Sequence, residues 1–311
     1  EMPLIKPELK GELKKFLSWA DEVRSKANRA GLVDQKFGIR TNADTPHDAK
    51  VAREYGAEGI GLCRTEHMFF EEDKIASFRE MIVASDKGAR EKALAKILPL
   101  QQKDFEGIFE AMDGLPVTVR LLDPPLHEFV PQEEAQIKAL ADRVGVDPAA
   151  LKVKIDSLHE LNPMLGHRGC RLGITYPEVY DMQVEAIMKA AVAVAGKGVT
   201  VYPEIMIPLV GNKNELAVLR ENAEAVCRRV LKESGKSVEY KIGTMIEIPR
   251  AALTANEVAE YADFFSFGTN DLTQMTMGFS RDDVGTFLPQ YVEDGIFEDD
   301  PFAVLDQTGV G

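Results

Sequence analysis

Three arginines and two carboxylates stand out because of where they fall. Arg64 closes the run GIGLCR, Arg120 closes VTVR, and Arg168 sits within GHRGCRL. Glu247 follows the apolar run KIGTMI, and Asp271 follows FFSFGTN. Each guanidinium is a planar fork that can grip a carboxylate or phosphate through two hydrogen bonds. Two carboxylates on successive segments offer hard oxygen ligands for Mg2+, which takes one or two from protein and completes its octahedron with water and substrate oxygens. Asn270 adds a neutral polar group beside the second acid. The set suits a small, multiply charged phosphate ester that also bears a carboxylate. Singly, each member has a plainer explanation. Exposed arginines form inexpensive surface ion pairs, and Asp271 in TND could cap the following helix. Glu247 resists that treatment, because a carboxylate inside an apolar strand needs a partner or a metal.

The elements that must carry these groups follow a repeating pattern. From Phe37 onward, short apolar runs alternate with longer amphipathic stretches, as in βα units building a parallel sheet. Six strands are expected: Gly38–Asp44, Gly59–His67, Val117–Asp123, Val201–Val210, Lys241–Pro249 and Asp263–Asp271. Helices are expected over Ala49–Tyr55, Asp73–Met112, Gln132–Arg143, Pro177–Ala195, Glu215–Glu233 and Arg250–Tyr261. Glu160–Gly173 reads as a loop carrying functional groups, and Leu272–Gly311 as irregular. The polar groups collect at the C-terminal ends of the strands, where a (β/α)8 barrel keeps its active site. A doubly wound sheet would place ligands similarly, but no dinucleotide glycine fingerprint is present, so the barrel is preferred. Residues 1–36 are expected to contain a linker helix, with helical spacing over Leu9–Ala30, and residues 37–311 the barrel. Six strands leave an eight-stranded barrel unclosed.

Composition narrows the function classes. The 311 residues are 45% hydrophobic and 28% charged, ordinary for a globular domain. A net charge of −14 argues against nucleic-acid or anionic-membrane partners. No run is long and apolar enough for a membrane span, and the first residues have no signal-peptide core. Cys63, Cys170 and Cys227 lack CxxC spacing, against disulfides or zinc and in favour of a reducing compartment. Cys63 reads as barrel packing and Cys227 as filler on a helix. His67 follows RTE and could orient Arg64 or Glu66, His127 shapes a loop after Pro-Pro, and His167 stands beside Arg168. None has the surroundings of a phosphoryl carrier. The residues alone lead to a Mg2+-dependent barrel enzyme acting on an anionic small molecule.

Longer strings go further. GIGLCRTEHMF (Gly59–Phe69), VTVRLLDPPLHEFVP (Val117–Pro131), NPMLGHRGCRL (Asn162–Leu172), MIEIPRA (Met245–Ala251) and FFSFGTNDLTQMT (Phe264–Thr276) resemble the C-terminal barrel domain of the PEP-utilising enzyme family. The wording LLDPPLHEF and GHRGCRL is similar to its pyruvate phosphate dikinase branch. The resemblance implies that Arg64, Arg120 and Arg168 hold the phosphate and carboxylate of phosphoenolpyruvate. It implies that Glu247 and Asp271 bind Mg2+, and that Gly268, Thr269 and Asn270 line the substrate. The implied half-reaction passes a phosphoryl group between a phosphohistidine on a swivelling domain and the enolate oxygen of pyruvate. A homodimer is implied as well. The family's nucleotide-binding and swivelling domains do not occur in this sequence, nor does the loop whose cysteine serves as general acid/base, which is expected beyond Gly311. The chain is therefore expected to be part of a longer polypeptide, of the cytoplasm, with a plastid or parasite organelle also open. Two rival readings are another Mg2+-enolate barrel enzyme and a non-catalytic dimerisation scaffold. Binding of a phosphate ester separates both from the leading one.

Overall fold

A computed structural model of the chain describes residues 10–26, 38–70 and 72–311. Its centre is one sheet of six parallel strands in sequential order: β1 (Thr41–Asn42), β2 (Ile60–Arg64), β3 (Pro116–Arg120), β4 (Tyr202–Ile207), β5 (Lys241–Ile246) and β6 (Phe265–Phe267). Successive strands pair in parallel, the register shifting within β1–β2 and β2–β3, and Arg64 stands beside Arg120 and Arg120 beside Met206. The result is a curled half-barrel with β1 and β6 as its edges. Behind their exposed first residues, β4 and β5 are buried at every position, as parallel strands covered on both faces must be.

Every expected strand is present but shorter than its apolar run. β1 keeps two residues of Gly38–Asp44, and β6 keeps three of Asp263–Asp271. The ladder stops where side chains must turn toward the barrel mouth. Thr269, Asn270 and Asp271 belong instead to the first turn of helix Thr269–Met277, whose N-cap is Gly268, so Asp271 is not the cap.

The outer layer forms where caps permit. Thr45, Asp86 and Asp147 each accept a backbone N–H from the first turn of their helices, and Asn212 forms a capping box with Glu215. Asp86 is why the expected helix Asp73–Met112 is two, Glu72–Ile82 and Lys87–Ala111. Arg250–Tyr261 likewise breaks at Thr254 into Pro249–Leu253, Ala255–Val258 and a short 3-10 turn. Pro148–Ser157 is an additional helix, started by Asp147 and a proline at its first position. Glu160–Gly173 is not wholly loop, since Gly169–Thr175 is helical. Leu272–Gly311 contains the end of helix Thr269–Met277 and the helix Leu288–Glu293.

Helix Pro177–Ala195 matches its expected span and is buried along most of its length, packed between Lys87–Ala111 and Lys213–Ser234. Gly11–Lys26 is helical, with Phe16, Trp19 and Val23 exposed, and Leu9 and residues 27–30 of the expected span lie outside the described residues. At the N-terminal end of the sheet Arg40 reaches Glu204 of β4 at 2.5 Å, and Thr118 of β3 donates to the same carboxylate at 2.7 Å. This network fastens three strands at the end away from the arginines.

Candidate active site

Backbone segments leaving β3, β4, β5 and β6 are laced together before any side chain reaches the mouth. Beyond β3, the Asp123 carbonyl accepts the Gly169 N–H at 2.9 Å. Beyond β4, the Pro208 carbonyl accepts the Cys170 N–H at 3.1 Å, and the Leu209 N–H donates to Glu247 Oε1 at 2.6 Å. Leu209 takes a left-handed φ of 63° to point that N–H, an unusual conformation for a branched residue. Gly169 faces it with φ 56°, and a Cβ there would lie 2.7 Å from the Leu209 Cβ. Only glycine fits this crossing. Beyond β6, a Cβ on Gly268 would lie 2.7 Å from both Glu247 Cβ and Oε2.

Side chains then converge on a cleft of about 340 Å3 lined in part by Arg64, Arg120, Asp123, Arg168, Asn270 and Asp271. Asp123 is its organiser. One carboxylate oxygen takes Arg120 Nη1 at 3.0 Å and Arg168 Nη2 at 2.6 Å, and the other takes Arg168 Nε at 3.3 Å. Arg120 also donates to Glu66 at 2.5 Å, and Arg168 Nη1 stands 4.0 Å from Asp271. Burial works against the charge on Arg120, but Asp123, Glu66 and Glu247 more than offset it and raise its pKa. Arg168 is raised too, its burial outweighed by Asp123 and Asp271. Both therefore remain cationic at any working pH. Arg64 is half-buried and has no ion-pair partner among the described residues; its backbone N–H donates to Asp44, which also holds His67 at 2.7 Å.

Glu247 is fully buried behind this cleft rather than on its wall. Burial and the nearby carboxylates of Asp123 and Asp271 push its pKa up to about 8, against Arg120 and the Leu209 N–H. Its second oxygen has no hydrogen-bond partner, and neither has Glu66 Oε2 or Arg120 Nε. Buried polar atoms without partners are uncommon, and three at one strand-end cluster mark a place where a ligand would complete the bonding. Among the described residues no three His, Cys, Asp or Glu gather as a ready metal cage. A buried carboxylate with a bare oxygen, near a half-buried second one, nevertheless suits Mg2+, which needs only one or two protein ligands.

Of the residues singled out in the sequence, Arg64, Arg120, Arg168, Asn270 and Asp271 meet at the cleft. Glu247 and Gly268 lie against each other behind it, and Thr269 is exposed and off its wall. Glu66 was passed over as a site member, and Asp123 was read only as one of the polar groups at the strand ends, without a ligand role. The signal for Asp123 was its place three residues after Arg120 in an otherwise apolar RLLD, where a buried acid must answer an arginine. All three cysteines are buried, and burial pushes Cys63 well up and Cys170 and Cys227 up to about 12, so none is a ready thiolate. His127 faces His159 at 5.5 Å, and His167 bonds Thr175 at 2.5 Å. No helix among the described residues is long and apolar enough to cross a membrane.

The family model described as PEP-utilising enzyme, PEP-binding domain matches residues 20–309. Pyruvate, phosphate dikinase of Rhizobium meliloti is 55% identical over all of this chain and 34% of its own length. The chloroplastic pyruvate, phosphate dikinase 1 of Oryza sativa is 55% identical over 100% of this chain and 32% of its own. For the Clostridium symbiosum enzyme of that name the identity is 54%, over 97% and 33%. The chain spans about a third of the length of these curated relatives. Across nearly its whole length, then, the chain belongs to the PEP-binding domain family of the PEP-utilising enzymes.

Proposed function

We propose that this chain is the phosphoenolpyruvate/pyruvate half-site of a pyruvate phosphate dikinase. In the whole enzyme it would take part in interconverting pyruvate and phosphoenolpyruvate, coupled to ATP and phosphate on one side and AMP and diphosphate on the other. The observation that carries this reading is the Asp123-bridged pair Arg120 and Arg168, with Arg64 lining the same cleft. So many guanidinium forks exceed what a lone carboxylate needs and suit a ligand with both phosphate and carboxylate groups.

Arg64, Arg120 and Arg168 hold these anionic groups and neutralise charge spread over the transferring phosphoryl oxygens. Fixing pyruvate beside an incoming phosphohistidine contributes through orientation, an effect that can reach about 7–11 kcal/mol. Asn270 orients the ligand at the rim, and Gly268 leaves room for the Glu247 carboxylate behind it. Glu247 and Asp271 would hold Mg2+, which as a Lewis acid stabilises the enolate form of pyruvate. The phosphohistidine and the acid/base group at the methylene carbon come from outside these residues. In this reading residues 37–311 form the barrel unit and residues 1–36 lead into it. The chain pairs as a homodimer and works in the cytoplasm, a plastid or a parasite organelle.

Calorimetric titration with phosphoenolpyruvate, with and without Mg2+, tests the reading. Binding that needs Mg2+ and disappears in a Glu247→Gln, Asp271→Asn double variant is expected. A folded wild-type protein that fails to bind, or a double variant that binds as well, overturns it.

A further inference from the structure

Asp123 can bridge two arginines only if its own backbone is held, and β3 does not hold it. The ladder ends at Arg120, and the last β3–β4 backbone bond is from the Leu121 N–H to the Met206 carbonyl at 3.0 Å. Leu122 is buried beyond the reach of the sheet, and its peptide groups still need partners. Both come from helix Pro177–Ala195. Gln183 Oε1 accepts the Leu122 N–H at 2.8 Å, and the Tyr180 hydroxyl donates to the Leu122 carbonyl at 2.8 Å. The two side chains are three residues apart, on one helix face, so they grip the peptide groups on either side of Leu122 together.

Tyr180 touches the second arginine's support as well. Its ring lies against Gly173, where a Cβ would come 2.5 Å from two ring carbons. Gly173 belongs to helix Gly169–Thr175, and the N-cap of that helix is Arg168. One side chain thus contacts the segment that ends in Asp123 and the helix that begins at Arg168. Tyr180 is fully buried and its phenol is pushed well above its ordinary pKa by burial, so the hydroxyl proton stays available to donate.

We propose that Tyr180, seconded by Gln183, is a positioning residue for the Arg120–Asp123–Arg168 unit, setting the spacing of the two guanidiniums from the outer helix layer. The proposal rests on the phosphoenolpyruvate reading for its ligand but not for its geometry, so its test has two independent arms. In the first, the Nε–H signal of Arg168, assigned by its loss in Arg168→Lys, is followed by nitrogen–proton correlation spectroscopy of the full chain without ligand. In the second, the Kd for phosphoenolpyruvate with Mg2+ is measured by calorimetry. Tyr180→Phe removes only the hydroxyl, and Gln183→Met removes the acceptor together with an amide nitrogen that makes no hydrogen bond of its own. Asn212→Ala, which removes a helix cap on Lys213–Ser234, reports general loosening.

Either Tyr180→Phe or Gln183→Met is expected to move or broaden the Arg168 Nε–H signal and to raise Kd about tenfold, the equivalent of one lost hydrogen-bond increment. Asn212→Ala is expected to lower the melting temperature and leave both readouts alone. If one clamp variant does not fold, the other decides. Clamp variants that keep the wild-type Arg168 signal, or that only match Asn212→Ala, overturn the proposal. Wild-type protein that does not bind phosphoenolpyruvate sinks the ligand reading instead, and the spectroscopic arm still decides this one.

Discussion

At the scale of single residues, the cleft is built around charge held at close quarters. Arg168 meets Asp123 through two nitrogens, a fork that an ammonium group does not reproduce. Arg168→Lys is therefore expected to raise the Kd for phosphoenolpyruvate about 10- to 100-fold, as hydrogen bonds to charged groups contribute about 1.5–3 kcal/mol. Calorimetry checks it, with the melting curve as a control for folding. Glu247 gives a pH signature of its own. Its pKa rises from 4.5 to about 8 on folding, chiefly through burial. Between those values the folded protein keeps a proton that the unfolded chain has released. Stability of the magnesium-free protein therefore falls as pH climbs through this window and levels off above it. Urea midpoints at pH about 6 and about 8.5 should differ, and Glu247→Gln should shrink the difference. Equal pH dependence in the two proteins would remove Glu247 as the source.

Elements show which features were legible in the sequence. Pro177–Ala195 was placed correctly because a proline start and a long apolar face agree. The arginines at strand ends were legible because a charged residue closing an apolar run has few places to go. Strand lengths were not, because an apolar run does not reveal where the ladder gives way to loop-to-loop bonds such as Gly169 N–H to Asp123. Glu66 stayed hidden for a related reason, its partner Arg120 being 54 residues away, and so did the bridge from Asp123 to Arg168 across 45, since spacing along a sequence carries no such contact. The Gly169–Leu209 crossing was hidden too, and it yields a sharp expectation. Gly169→Ala puts a Cβ 2.7 Å from the Leu209 Cβ at a left-handed φ. A loss of about 1–3 kcal/mol is expected, the usual range for overpacking. Chemical denaturation measures it. A neutral result would mean that the Leu209 segment yields easily and does not fix Glu247.

At the scale of the molecule, the half-barrel keeps its two jobs at opposite ends. Arg40, Thr118 and Glu204 tie strands at one end, and the cleft occupies the other. The outermost strands β1 and β6 leave backbone groups unpaired along the sheet edges among the described residues, and Phe267 and Ile39 are exposed beside them. Open edges of this kind invite pairing with another chain. This polypeptide by itself is expected to self-associate as its concentration rises, which sedimentation velocity over a concentration series would show. A constant monomer would mean that the short edge strands protect themselves. The bare atoms at Glu66, Arg120 and Glu247 have a different consequence. A fold that leaves bonds unmade at its mouth has reserved part of its cohesion for whatever fills it. A ligand that completes those bonds binds only the native state, so it should raise the melting temperature steadily with concentration, by about 2.7 kcal/mol of stability at a hundredfold excess over Kd. The heat tolerance of this domain would then follow the supply of its own ligand.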